Sequence, residues 1–195
     1  MLGSIKYNLA NLTNFDGRDA RQTFWYYVLF LVVVQFAASM LVSIPITAST
    51  FSGAIKAAQT GMSEEALQAQ MMAQMGGWFR ISLWLSLVFS VLMAVLLVAA
   101  LVRRIHDSGN SGWWGVVALI AQCVSIVHSY LMMDRMEELM IVAAGPDGAE
   151  KILSIQAEMM GIGLTAYVPM IIVIVFGVMK STNGPNRYGT EPVRF

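Results

Sequence analysis

Four stretches, at about 24–47, 81–102, 112–133 and 159–179, contain no Lys, Arg, Asp or Glu, and polar segments separate them. As helices rising 1.5 Å per residue, each covers roughly 30 Å, the hydrocarbon thickness of a bilayer. The pattern predicts an all-α polytopic membrane protein, a bundle of four transmembrane helices forming one domain over 1–195. The first stretch reads as a retained span and not as a secretory leader. Its apolar run follows 23 mostly polar residues and outlasts the about 7 to 15 residues of a leader's apolar region.

The segments after the first and third spans are also expected to be helical. Ser63 caps a run opening Glu64-Glu65, with Leu67, Met71 and Met75 at four-residue spacing and Gly76-Gly77 as its stop. That predicts a separate helix lying on the membrane surface. Residues 134–144 extend the third span, the turn Gly145-Pro146-Asp147-Gly148 breaks it, and Ala149 onward leads into the fourth, making an outward helical hairpin. Within the spans, Ser82, Ser86, Ser90 and Ala94 recur every four residues. Such a small-residue stripe lets helices approach closely, inside one chain or across a homodimer. Gln122, Ser125 and Ser129 share one side of the third span near His128. Hydrogen bonding between helices is the first reading of these residues and a pore lining the second.

Charge orients the bundle. Lys6, Arg18 and Arg21 precede the first span, Arg103 and Arg104 sit in the link between the second and third, and Lys180, Arg187 and Arg194 follow the fourth. The other two loops hold only Lys56, Arg80, Arg135 and Lys151, together with eight of the twelve acids. By the positive-inside rule both termini and the central link face the cytosol. Composition agrees with the class: 57% of residues are hydrophobic and 12% charged, against about 25% charged in a soluble domain. A formal net charge of zero argues against a nucleic-acid partner, which needs a basic surface. The single cysteine, Cys123, excludes a disulfide or a thiol metal cluster within one chain.

Three polar motifs share the cytosolic face. In the first, residues 15–27, Arg18 and Arg21 are about one helical turn apart and Phe24, Trp25, Tyr26 and Tyr27 follow at interface depth. The second, residues 103–114, is a reversal so short that the second and third spans must be antiparallel neighbours, with Gly109 and Gly112 easing the backbone and Ser108 or Ser111 capping the next helix. The third, residues 183–192, is a turn-rich tail unable to be helical and expected to fold back on the other two.

These motifs, in this order, resemble the domain of unknown function 805 family of bacterial inner-membrane proteins. The resemblance is carried by the collar Phe15 to Trp25, by Arg103-Arg104-Ile105-His106-Asp107 with Ser111-Gly112-Trp113-Trp114, and by Asn186-Arg187-Tyr188-Gly189 with Pro192 behind it. It spans essentially the whole chain; Asn110 and Thr190 depart from the expected pattern, and the outer loops are long for it. It implies a multi-span protein of the bacterial cytoplasmic membrane without an established molecular activity.

Arginine forks bind phosphate oxygens in paired hydrogen bonds, so Arg18, Arg21, Arg103, Arg104 and Arg187, converging under the bundle, would suit an anionic headgroup. The bland alternative has them setting topology, pairing with Asp16, Asp19 and Asp107, and capping helix ends. His106 beside Asp107 raises a general base or a zinc site, but no second histidine or cysteine lies on that face. Ten methionines in or beside the outer loops raise Cu(I) binding, although methionine is also a flexible core filler. The expected function is a non-enzymatic inner-membrane protein without cofactor, metal or catalytic residue. Its basic face, from Arg18, Arg21, Arg103, Arg104, His106, Asp107, Asn186, Arg187 and Tyr188, would bind an anionic lipid headgroup, a phosphorylated ligand or a partner protein. The alternatives are a small transporter or channel, suggested by Gln35, Gln122, Ser125 and Ser129, and a membrane enzyme using His106 and Asp107 on a lipid phosphate.

Overall fold

Capping residues and apolar runs set the helix ends in the computed structural model, which describes residues 1–61, 63–131, 153, 164 and 167–192. Among them the regular elements are five helices: α1 (Leu2–Ala10), α2 (Arg21–Thr60), α3 (Glu64–Asp107), α4 (Trp113–Leu131) and α5 (Tyr167–Val178). Three of these carry segments long and apolar enough to cross a membrane, at Arg21–Lys56, Arg80–Asp107 and Trp113–Leu131, and the chain is a helical membrane protein. α5 is apolar but its described part has only 12 residues. The start of the fourth predicted span and the predicted hairpin over 134–158 lie outside the described residues, Leu153 and Leu164 excepted.

Two helices are longer than their sequence pattern indicated. Ser63 does cap α3, its hydroxyl accepting from the Ala66 N–H at 3.3 Å. Gly76-Gly77, however, does not stop it; the helix runs on through both to Asp107, so no separate surface helix forms. Two interior glycines cost about 1 kcal/mol each, a modest penalty in a helix whose backbone hydrogen bonds continue unbroken into the apolar segment Arg80–Asp107. α2 likewise continues past Thr47 to Thr60, with Pro45 inside it. At 40 and 44 residues the two helices reach roughly 60 and 66 Å, about twice the hydrocarbon thickness.

Packing tightens toward the end of the bundle where α2 begins and α3 ends, here called the capped end. α2 packs on α3, α3 on α4 and α4 on α5, with α5 also touching α2 and α3. Phe24, Tyr27 and Leu31 present one face of α2 to Ala100, Leu101 and Ile105 of α3, Ala118 of α4, and Ile172 and Phe176 of α5. Two polar tips in this core find backbone partners: the Tyr27 hydroxyl donates to the Leu96 carbonyl (3.0 Å), and the Trp25 indole N–H to the Gly177 carbonyl (2.9 Å). Away from this end the outward faces are apolar and exposed, as at Val32, Phe36, Val88 and Val95, which is how a helix meets lipid. Gly109, at φ +79°, makes the reversal into α4 in a conformation that costs other residues strain.

Candidate functional site

Arg103 and Arg104 are consecutive on α3, so their side chains leave the helix about 100° apart and serve different partners. Arg103 turns to the N-terminal segment. It donates to the Asn8 side-chain oxygen (2.6 Å) and to the Asn11 (2.8 Å) and Asn14 carbonyls, its Nε lies 3.2 Å from an Asp19 carboxylate oxygen, and its guanidinium sits over the Tyr7 ring. Arg104 turns to α5 and the tail. It donates to the Phe176 (3.1 Å) and Met179 carbonyls and to the Asp107 carboxylate, one helical turn away. Arg104 thereby satisfies carbonyls left over at the C-terminal end of α5, where the helix dipole favours a cation.

Asp107 is the hub. One of its oxygens accepts two bonds from Arg18, at 3.1 and 2.9 Å; the other accepts from Arg104 and from the Ser181 hydroxyl. Arg18 then spends its remaining donors on the tail carbonyls of Thr182 (2.7 Å), Gly184 (2.6 Å) and Gly189 (3.5 Å), so all five of its N–H groups are engaged. Arg103, Arg104 and Asp107 are completely buried, and Arg18 and Asp19 nearly so. Burying ions costs several kcal/mol each unless charge and hydrogen bonds compensate. Three guanidiniums against two carboxylates leave one excess positive charge, which the ring of loop and helix-end carbonyls offsets. Burial pushes the Asp19 carboxyl above its ordinary pKa, with the Arg103 guanidinium pulling the other way.

A second cluster forms beside the first. The His106 ring stacks on Tyr188 (centroids 3.8 Å apart, planes 8° from parallel), and the Arg187 guanidinium lies 4.7 Å from the centroid of the Tyr188 ring. Asn186 donates to the His106 carbonyl (2.9 Å), and the Thr182 N–H donates to the Asp107 carbonyl (2.9 Å), so the tail is stitched along the end of α3. His106 and Asp107 therefore face different partners. Ser111 caps α4 through the Trp113 N–H at 3.4 Å.

The residues expected to form one basic face thus separate into three groups. Arg18, Arg103, Arg104 and Asp107 form the interior of the cap; His106, Asn186, Arg187 and Tyr188 form its outer stack; Arg21 stands apart. Of the carboxylates considered as arginine partners, Asp19 and Asp107 are engaged, whereas the Asp16 N–H bonds to the Asn14 side chain (3.1 Å). The donors of Arg18 are filled, so a phosphate would have to displace an internal partner to reach them. Arg21, exposed at the first turn of α2, instead lines an open cleft of about 410 Å³ with Gln22, Trp25, Lys180, Asn183 and Glu191. The amide N–H groups of a first helical turn have no partner within the helix and favour anions.

Residues 12–190 match the family described as protein of unknown function (DUF805). The chain belongs to that family. The matched region holds the first two motifs and the third as far as Thr190, and with them every arginine and aspartate of the buried network, while the Arg103 partners Asn8 and Asn11 precede it. Comparison with curated proteins gave no match, and comparison with solved structures gave none either.

Several participants had not been picked out from the sequence. Asn8 and α1 have no periodic signature in nine residues, and Ser181 and Thr182 look like any polar linker; Asp19, inside a dense polar motif, was already a candidate arginine partner. Among the described residues no three His, Cys, Asp or Glu side chains gather as a metal site would require. The methionine-rich segments lie largely outside the residues whose side chains are described.

Proposed function

We propose that this chain is a non-enzymatic protein of the bacterial inner membrane, with four spans and both termini in the cytosol. In this reading the cytosolic cap holds the phosphate of an anionic lipid headgroup in the cleft between Arg21 and Lys180. One observation carries it: the conspicuous arginines Arg18, Arg103 and Arg104 spend their donors inside the protein, while Arg21 and Lys180 line a solvent-open polar cleft. The cleft sits where α2 begins and just past the end of α5, the depth at which headgroups of the cytosolic leaflet lie. Two cations against the single carboxylate of Glu191, with the first turn of α2, leave the cleft net positive toward an anion, and Trp25 offers an apolar wall to the adjoining glycerol and chain. The excess of basic residues in the capped segments supports the orientation, and the apolar run over 159–179 is long enough to complete a fourth crossing.

Native mass spectrometry of the detergent-released protein titrated with phosphatidylglycerol tests the reading. The wild type is expected to retain the lipid and Arg21→Ala/Lys180→Ala to lose it, with the thermal midpoint unchanged. Equal retention by that double variant would remove the proposed site.

A further inference from the structure

Away from the arginine network, α2, α3, α4 and α5 enclose an open-sided cavity of about 560 Å³ whose lining contains no charged residue. The predicted small-residue stripe faces it: Ser86, Ser90 and Ala94 line the cavity, so there the stripe leaves space between the helices. Its two ends differ. Toward the capped end the walls are Leu97, Val98, Leu101 and Ala118; the other end carries Gln35, Ser86, Ser90 and Gln122. Gln122 lies nine residues into α4, roughly 14 Å along the helix and so near the middle of a hydrocarbon layer about 30 Å thick.

Polar groups at that depth need partners, because no water is there to supply them. Gln122 donates one N–H to the Ser90 hydroxyl at 2.7 Å. Among the described residues the rest of its amide, and the whole amide of Gln35, find no hydrogen-bond partner. A pocket of this size, apolar along its length with a few convergent amides at one end, has the make-up of a small-molecule site. We propose that it binds a neutral, carbonyl-bearing lipophile, its carbonyl accepting from the Gln35 and Gln122 amides near the bilayer midplane and its apolar body lying along Leu97, Leu101 and Ala118. An anionic phospholipid does not fit: its charged headgroup stays at the interface, and its acyl chains would leave the amides unmet. A quinone ring and a neutral glycerol ester present the same carbonyl, and the test separates them.

The full-length protein in a maltoside detergent, which has no carbonyl, is titrated by calorimetry with decyl-benzoquinone and with dioctanoylglycerol. The expected result is saturable one-site binding of at least one, the tighter naming the source, weakened at least about tenfold by Gln35→Leu, with a wild-type thermal midpoint. Among the described residues Gln35 makes no side-chain hydrogen bond, so this variant removes a ligand partner and no internal one seen there. Ala94→Phe, which fills the cavity, is expected to abolish binding while phosphatidylglycerol retention persists. Equal uptake of decylbenzene, which lacks the carbonyls, or binding indifferent to Gln35→Leu, would overturn the proposal.

Discussion

Replacing Asp107 with alanine removes a carboxylate that neutralises two guanidiniums at once. Arg18 loses two hydrogen bonds, Arg104 loses its ion pair, and the Ser181 hydroxyl loses its acceptor, all with the Asp107 side chain fully buried. Removing one member of a buried pair costs about 3–5 kcal/mol, because the remaining charge is left without compensation. With two cations stranded, the upper end applies, about 5 kcal/mol. At about 1.4 kcal/mol per factor of ten, the folded-to-unfolded ratio falls by more than three orders of magnitude, a large share of the about 5–15 kcal/mol that holds a typical domain together. The assay is thermal unfolding in detergent followed by size-exclusion chromatography, with trypsin cleavage after Arg18 as a local probe. Asp107→Ala should unfold at a much lower temperature and be cut at Arg18, while Asp107→Asn, which keeps the shape and one acceptor, should fall between it and the wild type. A wild-type midpoint for Asp107→Ala would refute the claim that this carboxylate organises the cap.

Two further substitutions probe the cap separately. Arg103→Lys keeps the charge but loses the fork that reaches Asn8, Asn11 and Asn14 together; amide hydrogen exchange should quicken over residues 2–14 while the spans stay protected. Gly177→Ala would place a Cβ 2.6 Å from the Trp25 ring and 3.1 Å from Phe24, and with Phe24 fully buried the overpacking should cost about 1–3 kcal/mol, read as a lower thermal midpoint.

The membrane class was plain in the sequence because lipid imposes a one-dimensional rule: long uncharged runs mark spans, and the three found as long apolar helices coincide with the first three of these runs. Helix ends were less legible. Gly76-Gly77 has the composition of a stop, yet whether a glycine pair ends a helix depends on what else would satisfy the freed carbonyls, and adjacent residues do not reveal that. At the cap, the closeness of Arg18 to Asp107, 89 positions apart, is a tertiary fact. The motifs contain Arg18, Arg103, Arg104 and Asp107, but the string does not show which guanidiniums point inward or that Asn8 and Ser181 join them. Adjacent arginines look equivalent in a string, whereas about 100° of helical rotation sends Arg103 to α1 and Arg104 to α5.

Guanidine accessibility tests the central claim most directly. Phenylglyoxal treatment of the folded protein in detergent, mapped by peptide mass spectrometry, should modify Arg21 and Arg187 quickly and leave Arg18, Arg103 and Arg104 protected until the protein is unfolded. Labelling of Arg103 and Arg104 at the rate of Arg21 would contradict the account of a closed internal network.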